Sequence, residues 1–233
     1  MIKAVLIDID NTLLDFDEYV KETMKEGFAE FGLTAYEEYM YEVFVKINYE
    51  MWRQIERNEL TYDELLKTRW NRIFSELNIS FDGCRFEEYF KSRLFESAIH
   101  IEGAVDILGY LKERYIVCAA SNGPYGQQIN RLKKAKMLPC FSKLFISEKI
   151  GASKPSESFF MHCLHELNSV AKSEEKIQPH EIIMIGDSLT SDIAGAASAG
   201  LKTCFFDRNR SGETNGLHID CVINKLEEIR SIL

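Results

Sequence analysis

Lys3-Ala4-Val5-Leu6-Ile7-Asp8-Ile9-Asp10-Asn11-Thr12-Leu13-Leu14 is the stretch that decides the fold. It opens with a short, mostly aliphatic run from Lys3 to Ile7, which is typical of a parallel strand buried on both faces. The run ends at Asp8, where such a strand would reach the edge of its sheet. The sequence therefore predicts a buried first strand that delivers a carboxylate to that edge.

Similar aliphatic runs recur downstream, and each is separated from the next by a helical pattern or a loop. This alternation is typical of a parallel sheet wrapped by helices. The predicted fold class is α/β, with a parallel Rossmann-like sheet and helices on both faces. The further predicted strands are Tyr115–Ala120, Lys143–Ile146, Ile182–Ile185, Lys202–Phe206 and Asp220–Ile223.

A long segment between the first two predicted strands has a helical pattern instead of a strand pattern. Residues 17–97 are too many for a connecting loop, so we predict an inserted all-helical cap subdomain. The alternative is that these helices simply cover the sheet. The predicted domains are a catalytic core of residues 1–16 and 98–233 and a helical cap of residues 17–97. Glu166–Glu181 is polar and is expected to be a solvated connector.

The charge and composition of the chain limit the classes of partner that it can bind. The chain has 233 residues and a formal net charge of -9, and its lysines and arginines form no dense run. A phosphate polymer would be repelled, so polymeric nucleic acid is not expected as a partner. A small phosphorylated metabolite is still compatible with the net negative charge, because a metal ion in one pocket can make that pocket locally positive. The first apolar run is too short for a signal or a membrane span, so we expect a cytoplasmic protein without a membrane partner. A monomer or homodimer is expected.

Asp8 and Asp10 lie two residues apart at the end of the first predicted strand. Two close carboxylates repel each other unless a cation lies between them, and Mg²⁺ prefers such oxygen ligands. Aspartate is also a common turn former, so this motif alone leaves a purely structural explanation open.

Three further polar turns each follow a predicted strand. Ser121-Asn122-Gly123-Pro124 combines a hydroxyl with backbone N–H groups at a helix start, which can bind an anion but also suits an ordinary turn. Lys154 could hold phosphoryl oxygens, although most lysines are surface residues. Gly186-Asp187 adds a carboxylate. All these turns fall at the carboxyl ends of parallel strands, where open α/β sheets bind ligands, and this convergence favours one site.

In order and spacing, these segments resemble the four motifs of the haloacid dehalogenase (HAD) superfamily. The motifs are Asp8-Ile9-Asp10-Asn11-Thr12, Ser121, Lys154 and Gly186-Asp187-Ser188-Leu189-Thr190-Ser191-Asp192. The helical insertion is placed as in members that have a helical cap after the first motif. Many relatives carry glycine where this chain has Asn11, but asparagine tolerates a left-handed backbone.

The resemblance implies a Mg²⁺-dependent phosphatase with an aspartyl-phosphate intermediate. Asp8 would be the nucleophile and Asp10 the general acid and base, with Ser121 and Lys154 completing the catalytic set. The implied metal ligands are Asp8, the backbone carbonyl of Asp10 and Asp187, with Asp192 in or near the surrounding layer. The implied phosphate-binding residues are Thr12, Ser121, Asn122, Gly123 and Lys154.

Asp10 also bears on the substrate, because the dehalogenases of the superfamily lack an acid at that position. Met51–Thr61, Arg69-Trp70 and the segment from Cys204 to Leu217 are similar to the bacterial pyrimidine nucleotide 5'-nucleotidases. A (deoxy)pyrimidine nucleoside monophosphate is therefore the expected substrate. Open alternatives are a phosphatase for a sugar phosphate or phosphoglycolate and a non-catalytic nucleotide-binding regulatory module. The candidate substrate contacts are Trp52, Arg53 and Arg69, for which helix packing is the alternative.

Overall fold

The structure, a computed structural model, describes residues 1–169 and 176–233. These residues form two compact units, one of residues 1–15, 98–169 and 176–233 and the other of residues 16–97. This division differs from the predicted boundaries by one residue at the start of the helical unit and coincides with them between residues 97 and 98. The predicted connector Glu166–Glu181 falls partly outside the described residues, and its first two residues end a helix instead.

The smaller unit is all-helical, as predicted. Its helices are α1 (Phe16–Glu30), α2 (Glu38–Glu56), α3 (Tyr62–Glu76) and α4 (Gly83–Glu96). The Trp70 ring centroid lies 4.3 Å from that of Phe86 and 5.3 Å from that of Phe90, so aromatic packing forms an internal core. A capping box between Thr61 and Glu64 fixes the start of α3.

The larger unit is built on a six-stranded parallel sheet with the order β3-β2-β1-β4-β5-β6. Every predicted strand is present, and no strand begins or ends more than one residue from its expected position. The strands are β1 (Ala4–Ile7), β2 (Ile116–Ser121), β3 (Lys143–Ile146), β4 (Ile182–Gly186), β5 (Lys202–Phe206) and β6 (Cys221–Ile223).

β1 lies at the centre of the sheet and positions the site. Its last residue, Ile7, pairs with Ala119 of β2 and with Ile185 of β4. Successive residues of a strand point to opposite faces, and Leu6 and Ile7 accordingly belong to two separate apolar clusters. The sheet is thus covered on both faces, which is why the β1 sequence is continuously apolar.

The sheet is covered by helices that connect its strands. They are α5 (Ala104–Lys112), α6 (Tyr125–Lys134), α7 (Ser147–Ile150), α8 (Glu157–Leu167) and α9 (Gly195–Ser198), with a π-helical turn at Leu189–Ala194. Among the described residues, none of the helices has both the length and the apolar character needed to span a membrane.

The start of α9 depends on a glycine. A Cβ added to Gly195 would lie 2.6 Å from Cε2 of Phe160 and 2.8 Å from Cα of Pro155. The second contact is with backbone, which cannot rotate away. Gly195 therefore lets α9 approach the segment that follows Lys154.

We expect Gly195→Ala to lower the free energy of unfolding by about 1–3 kcal/mol, because the added methyl group overpacks this contact. Gly109→Ala is the matched control, since Gly109 lies inside α5 and nothing is within 4 Å of its added Cβ. That change should stabilise the protein by up to about 1 kcal/mol through helix propensity. Urea unfolding measures both, and equal stability of the two variants would contradict the packing argument.

Candidate active site

Lys154 is the centre of the candidate site. Its side chain is only 2% exposed, and Nζ donates to Oδ1 of Asp8 at 2.5 Å, Oδ1 of Asp192 at 2.6 Å and the carbonyl oxygen of Ala120 at 2.7 Å. Burial disfavours the charged amine, yet Asp192 and Asp8 raise the pKa of Lys154 above its usual range. Since an ammonium group has three N–H donors, Lys154 is a fixed cation whose donors are all used within the protein.

Asp8 follows β1 directly, and its N–H continues the sheet pairing by donating to the carbonyl oxygen of Ile185. The side chain is buried. Burial, together with the charges on Asp192 and Asp10, raises the pKa of Asp8 to about 7, although Lys154 acts in the opposite direction. The nucleophile predicted from the sequence is therefore a carboxylate whose ionisation depends on nearby positive charge.

Three carboxylates meet at this edge of the sheet. Asp8, Asp187 and Asp192 each place an oxygen within 4.8 Å of the others. Desolvation raises the pKa of Asp187 well above its ordinary range, and the charges on Asp8 and Asp192 raise it further. Hard oxygen donors at this spacing are the ligands that Mg²⁺ prefers, and a dication would relieve their repulsion. The donor set therefore fits a magnesium site.

Asp192 also organises the cluster from within. Its Oδ1 accepts from Lys154, and its Oδ2 accepts the backbone N–H of Ser188 at 3.1 Å. A Cβ added to Gly186 would collide with this carboxylate, so the end of β4 needs glycine there. The resemblance to the HAD motifs implies a position for Asp192 in or near the layer around the metal ligands, and these hydrogen bonds are the means by which it could support them.

Two residues predicted to bind phosphate use their side chains to hold other parts of the site. Oγ1 of Thr12 donates to Oδ1 of Asp187 at 3.1 Å. The Asn122 amide donates to the backbone carbonyl of Lys154 at 2.8 Å and accepts the Lys154 backbone N–H at 2.9 Å. Ser121 and Gly123 form the turn itself, in which the Gly123 N–H donates to Oγ of Ser121. Binding of phosphate by these residues stays a prediction.

Asp10 is held by two residues that the sequence analysis missed. Nη1 of Arg131 donates to Oδ1 of Asp10 at 2.5 Å, and Nε2 of Gln128 donates to Oδ2 at 2.7 Å. Both lie on α6, which follows the Ser121 turn. Their three-residue spacing on this helix was the available signal, since it places them on one face.

Asn11 has a left-handed backbone with φ of 58°. Asparagine occupies this region more readily than most residues other than glycine. The difference from glycine-bearing relatives is therefore compatible with the turn after Asp10.

The candidate substrate contacts lie in the helical unit, and their environments differ. Arg69 is 5% exposed and donates to both carboxylate oxygens of Glu87, at 2.6 and 3.1 Å. It serves packing inside this unit, which is the alternative raised from the sequence. Trp52 and Arg53 are partly exposed on α2. The Trp52 ring lies 6.0 Å from that of Tyr62, and Arg53 pairs with Glu56 at 3.0 Å.

Comparison with protein families agrees with this geometry. The family model for haloacid dehalogenase-like hydrolases matches residues 2–200, which include all four polar turns. The chain belongs to the haloacid dehalogenase-like hydrolases.

Several relatives of this HAD hydrolase are similar over most of their length. The HAD-hydrolase YfnB of Bacillus subtilis is 29% identical over 231 residues, 99% of this chain and 95% of YfnB. A solved structure of YfnB bound to magnesium has a TM-score of 0.88 and covers 100% of this chain and 98% of that one. The pyrimidine 5'-nucleotidase PynA of Streptococcus pneumoniae is 32% identical, and the similarity covers 88% of this chain and 84% of PynA. YjjG of Escherichia coli, also a pyrimidine 5'-nucleotidase, is 24% identical over 98% of this chain and 96% of YjjG.

We expect this HAD hydrolase to bind Mg²⁺ more weakly as the pH falls from about 8 to about 6. Below the raised pKa of Asp8, about 7, an ion must displace a proton, which costs about tenfold in affinity per pH unit for each proton. Calorimetry in buffers of different ionisation enthalpy measures both the affinity and the protons released.

The matched pair for this measurement is Asp187→Asn and Asp106→Asn. Both replace a carboxyl group with an amide, but Asp106 is exposed on α5. Asp187→Asn should weaken Mg²⁺ binding at every pH, whereas Asp106→Asn should leave it unchanged. Affinity that is independent of pH, or equal in both variants, would place the ion elsewhere.

Proposed function

We propose that this protein is a Mg²⁺-dependent phosphate monoester hydrolase that transfers a phosphoryl group to Asp8. The observation that carries the proposal is the buried Asp8 carboxylate, held at 2.5 Å by Lys154 beside Asp187 and Asp192. Asp8, Asp187 and the backbone carbonyl of Asp10 would hold the ion. Bound Mg²⁺ would supply positive charge that offsets the repulsion between a carboxylate and a phosphate dianion.

In the first step an Asp8 carboxylate oxygen attacks phosphorus and the bond from phosphorus to the ester oxygen breaks. Asp10 gives its proton to the leaving alkoxide, so the alcohol departs neutral. Lys154 keeps Asp8 in place because it binds Oδ1 from a buried position. The N–H groups of the turn at Ser121 are proposed to hold the phosphoryl oxygens during transfer.

In the second step water attacks phosphorus and the bond between phosphorus and the Asp8 oxygen breaks. Asp10, now a carboxylate, takes the proton from water, which regenerates both aspartates and releases inorganic phosphate. One residue thus acts as acid and then as base. The Asp10 side chain is 32% exposed, which leaves it accessible for both transfers.

The proposed substrates are pyrimidine nucleoside 5'-monophosphates. The similarity to PynA and YjjG, both pyrimidine 5'-nucleotidases, supports this choice. Trp52 and Arg53 are the proposed nucleoside contacts, since a partly exposed indole can stack on a base and a guanidinium can donate to it. Arg69 is left out because Glu87 already occupies its guanidinium.

We expect Asp8→Asn to lower phosphate release by about 10³-fold or more, because an amide cannot attack phosphorus. Wild-type protein quenched in acid during turnover should carry a covalent phosphoryl group, and Asp8→Asn should carry none. Asp106→Asn is the control and should retain both properties. Phosphate release that persists in Asp8→Asn would contradict the covalent mechanism, and release without any divalent ion would contradict the metal requirement.

Substrate choice is tested with a panel of monophosphates with and without Mg²⁺. We expect kcat/KM for pyrimidine nucleoside 5'-monophosphates to exceed that for sugar phosphates and phosphoglycolate by about tenfold or more. Trp52→Leu should raise KM for the nucleotides but not for p-nitrophenyl phosphate, whereas Tyr49→Leu on the same helix should change neither.

Equal rates across the panel would reject the nucleotidase assignment and keep the phosphatase. A higher kcat/KM for a sugar phosphate or phosphoglycolate would select the alternative phosphatase. Nucleotide binding without phosphate release from any ester would select a non-catalytic module instead.

A further inference from the structure

We propose that Gln128 and Arg131 are positioning residues that fix the Asp10 carboxylate beside the phosphoryl-binding turn. This inference rests on the proposed function, because it assigns these residues to the proton transfers of Asp10. It concerns the orientation of the Asp10 side chain and does not require either residue to touch the substrate.

Each oxygen of the Asp10 carboxylate has its own donor. Arg131 binds Oδ1 at 2.5 Å, and Gln128 binds Oδ2 at 2.7 Å. Arg131 also donates to Oε1 of Gln128 at 3.0 Å, so the two donors fix each other. A carboxylate held at both oxygens cannot rotate about its terminal bond without breaking a charge-assisted hydrogen bond. The network therefore sets the plane of the Asp10 carboxylate as well as its position.

Gln128 also connects Asp10 to the turn after β2. Its Nε2 donates to Oγ of Ser121 at 2.8 Å, so one amide group binds both the proposed acid and a proposed phosphate ligand. A Cβ added to Gly123 would collide with this amide. The turn can pack closely on Gln128 because glycine has no Cβ. One side chain thus links Asp10 to the proposed phosphate-binding turn.

The energetic cost of Arg131 argues against a purely structural role. Its side chain is fully buried, and its Nε has no hydrogen-bond partner among the described residues. A buried arginine with an unpaired donor is less favourable than an apolar side chain of similar volume. Packing alone would be served better by methionine or leucine at this position. What an apolar residue could not provide is the bond to Asp10.

The network leaves Asp10 able to transfer a proton. Each carboxylate oxygen has two lone pairs, and the donors from Arg131 and Gln128 use one on each oxygen. Arginine has no acceptor, so it cannot take the proton that Asp10 gives to the leaving alkoxide or the proton that Asp10 later receives from water. The remaining lone pairs are then oriented by protein contacts before the substrate binds, which is the condition for efficient proton transfer.

The test compares Arg131→Met and Gln128→Met with Lys133→Met, which removes an exposed cation from the same helix. With p-nitrophenyl phosphate we expect kcat to fall about 10- to 100-fold in the first two variants, because a misplaced catalytic group costs about this factor. KM and the affinity for Mg²⁺ should stay within about twofold of wild type. Arg131→Lys should recover part of kcat, and Lys133→Met should match wild type.

A double-mutant cycle separates positioning from folding. If Arg131 acts through Asp10, Arg131→Met should have little further effect on kcat in an Asp10→Asn background. The phenolate of p-nitrophenyl phosphate leaves without a proton, so with this substrate Asp10 acts only as the base of the second step. The rate of Asp10→Asn therefore stays measurable, and the expected losses of kcat report on that second step. Losses that multiply in the cycle, or undiminished kcat in both single variants, would overturn the inference. If Arg131→Met does not fold, Gln128→Met replaces it in the cycle, because Gln128→Met leaves the ion pair between Arg131 and Asp10 in place.

Failure of the proposed function would give a different result. Wild-type protein that releases no phosphate, or releases it equally well as Asp8→Asn, overturns the proposed function and the inference with it. Activity that requires Asp8 while kcat is insensitive to Arg131 and Gln128 overturns only the inference.

Discussion

The site depends on the buried ammonium group of Lys154. It joins Asp8 after β1, Asp192 after β4 and the carbonyl oxygen of Ala120 in β2 through one atom. A charge so far from water is tolerable only when its partners are close and well oriented, and here the acceptors fill all three donors. The ends of three neighbouring strands are therefore held together by a charged group whose own stability requires them.

Even with these ion pairs, the cluster of Asp8, Asp187, Asp192 and Lys154 has more negative than positive charge. With Asp8, Asp187 and Asp192 ionised and Lys154 protonated, the cluster carries two uncompensated negative charges. The raised pKa values of Asp8 and Asp187 express this imbalance, because burial and mutual repulsion both disfavour ionisation. Two negative charges on hard oxygen donors match the charge and the ligand preference of Mg²⁺. The electrostatics of the chain alone thus favours a dication at this position.

Much of this arrangement could be predicted from the sequence because it depends on backbone pattern. Apolar runs located the strands, and parallel strands bring their carboxyl ends to one edge, so Asp8 and Asp187 were expected at the same edge. That their strands are neighbours follows only from the strand order of the sheet. Side-chain partners could not be predicted in this way. In the sequence, Arg69 looks the same whether it binds a ligand or pairs with Glu87. Gln128 looks like an ordinary polar residue on a helix. Burial and direction, which decide between such roles, are properties of tertiary packing.

Asp8 and Asp10 are two residues apart, yet different elements hold their side chains. Lys154, after α7, binds Asp8, whereas Gln128 and Arg131 of α6 bind Asp10. The positions of the two carboxylates therefore depend on α6 and on the Lys154 segment as well as on the backbone that joins them. Asn122 bridges those two elements, since its amide exchanges two hydrogen bonds with the Lys154 backbone and lies in the turn that leads into α6. The proposed nucleophile and the proposed acid are thus each held by partners from the surrounding strands and helices, and not by the short turn between them alone.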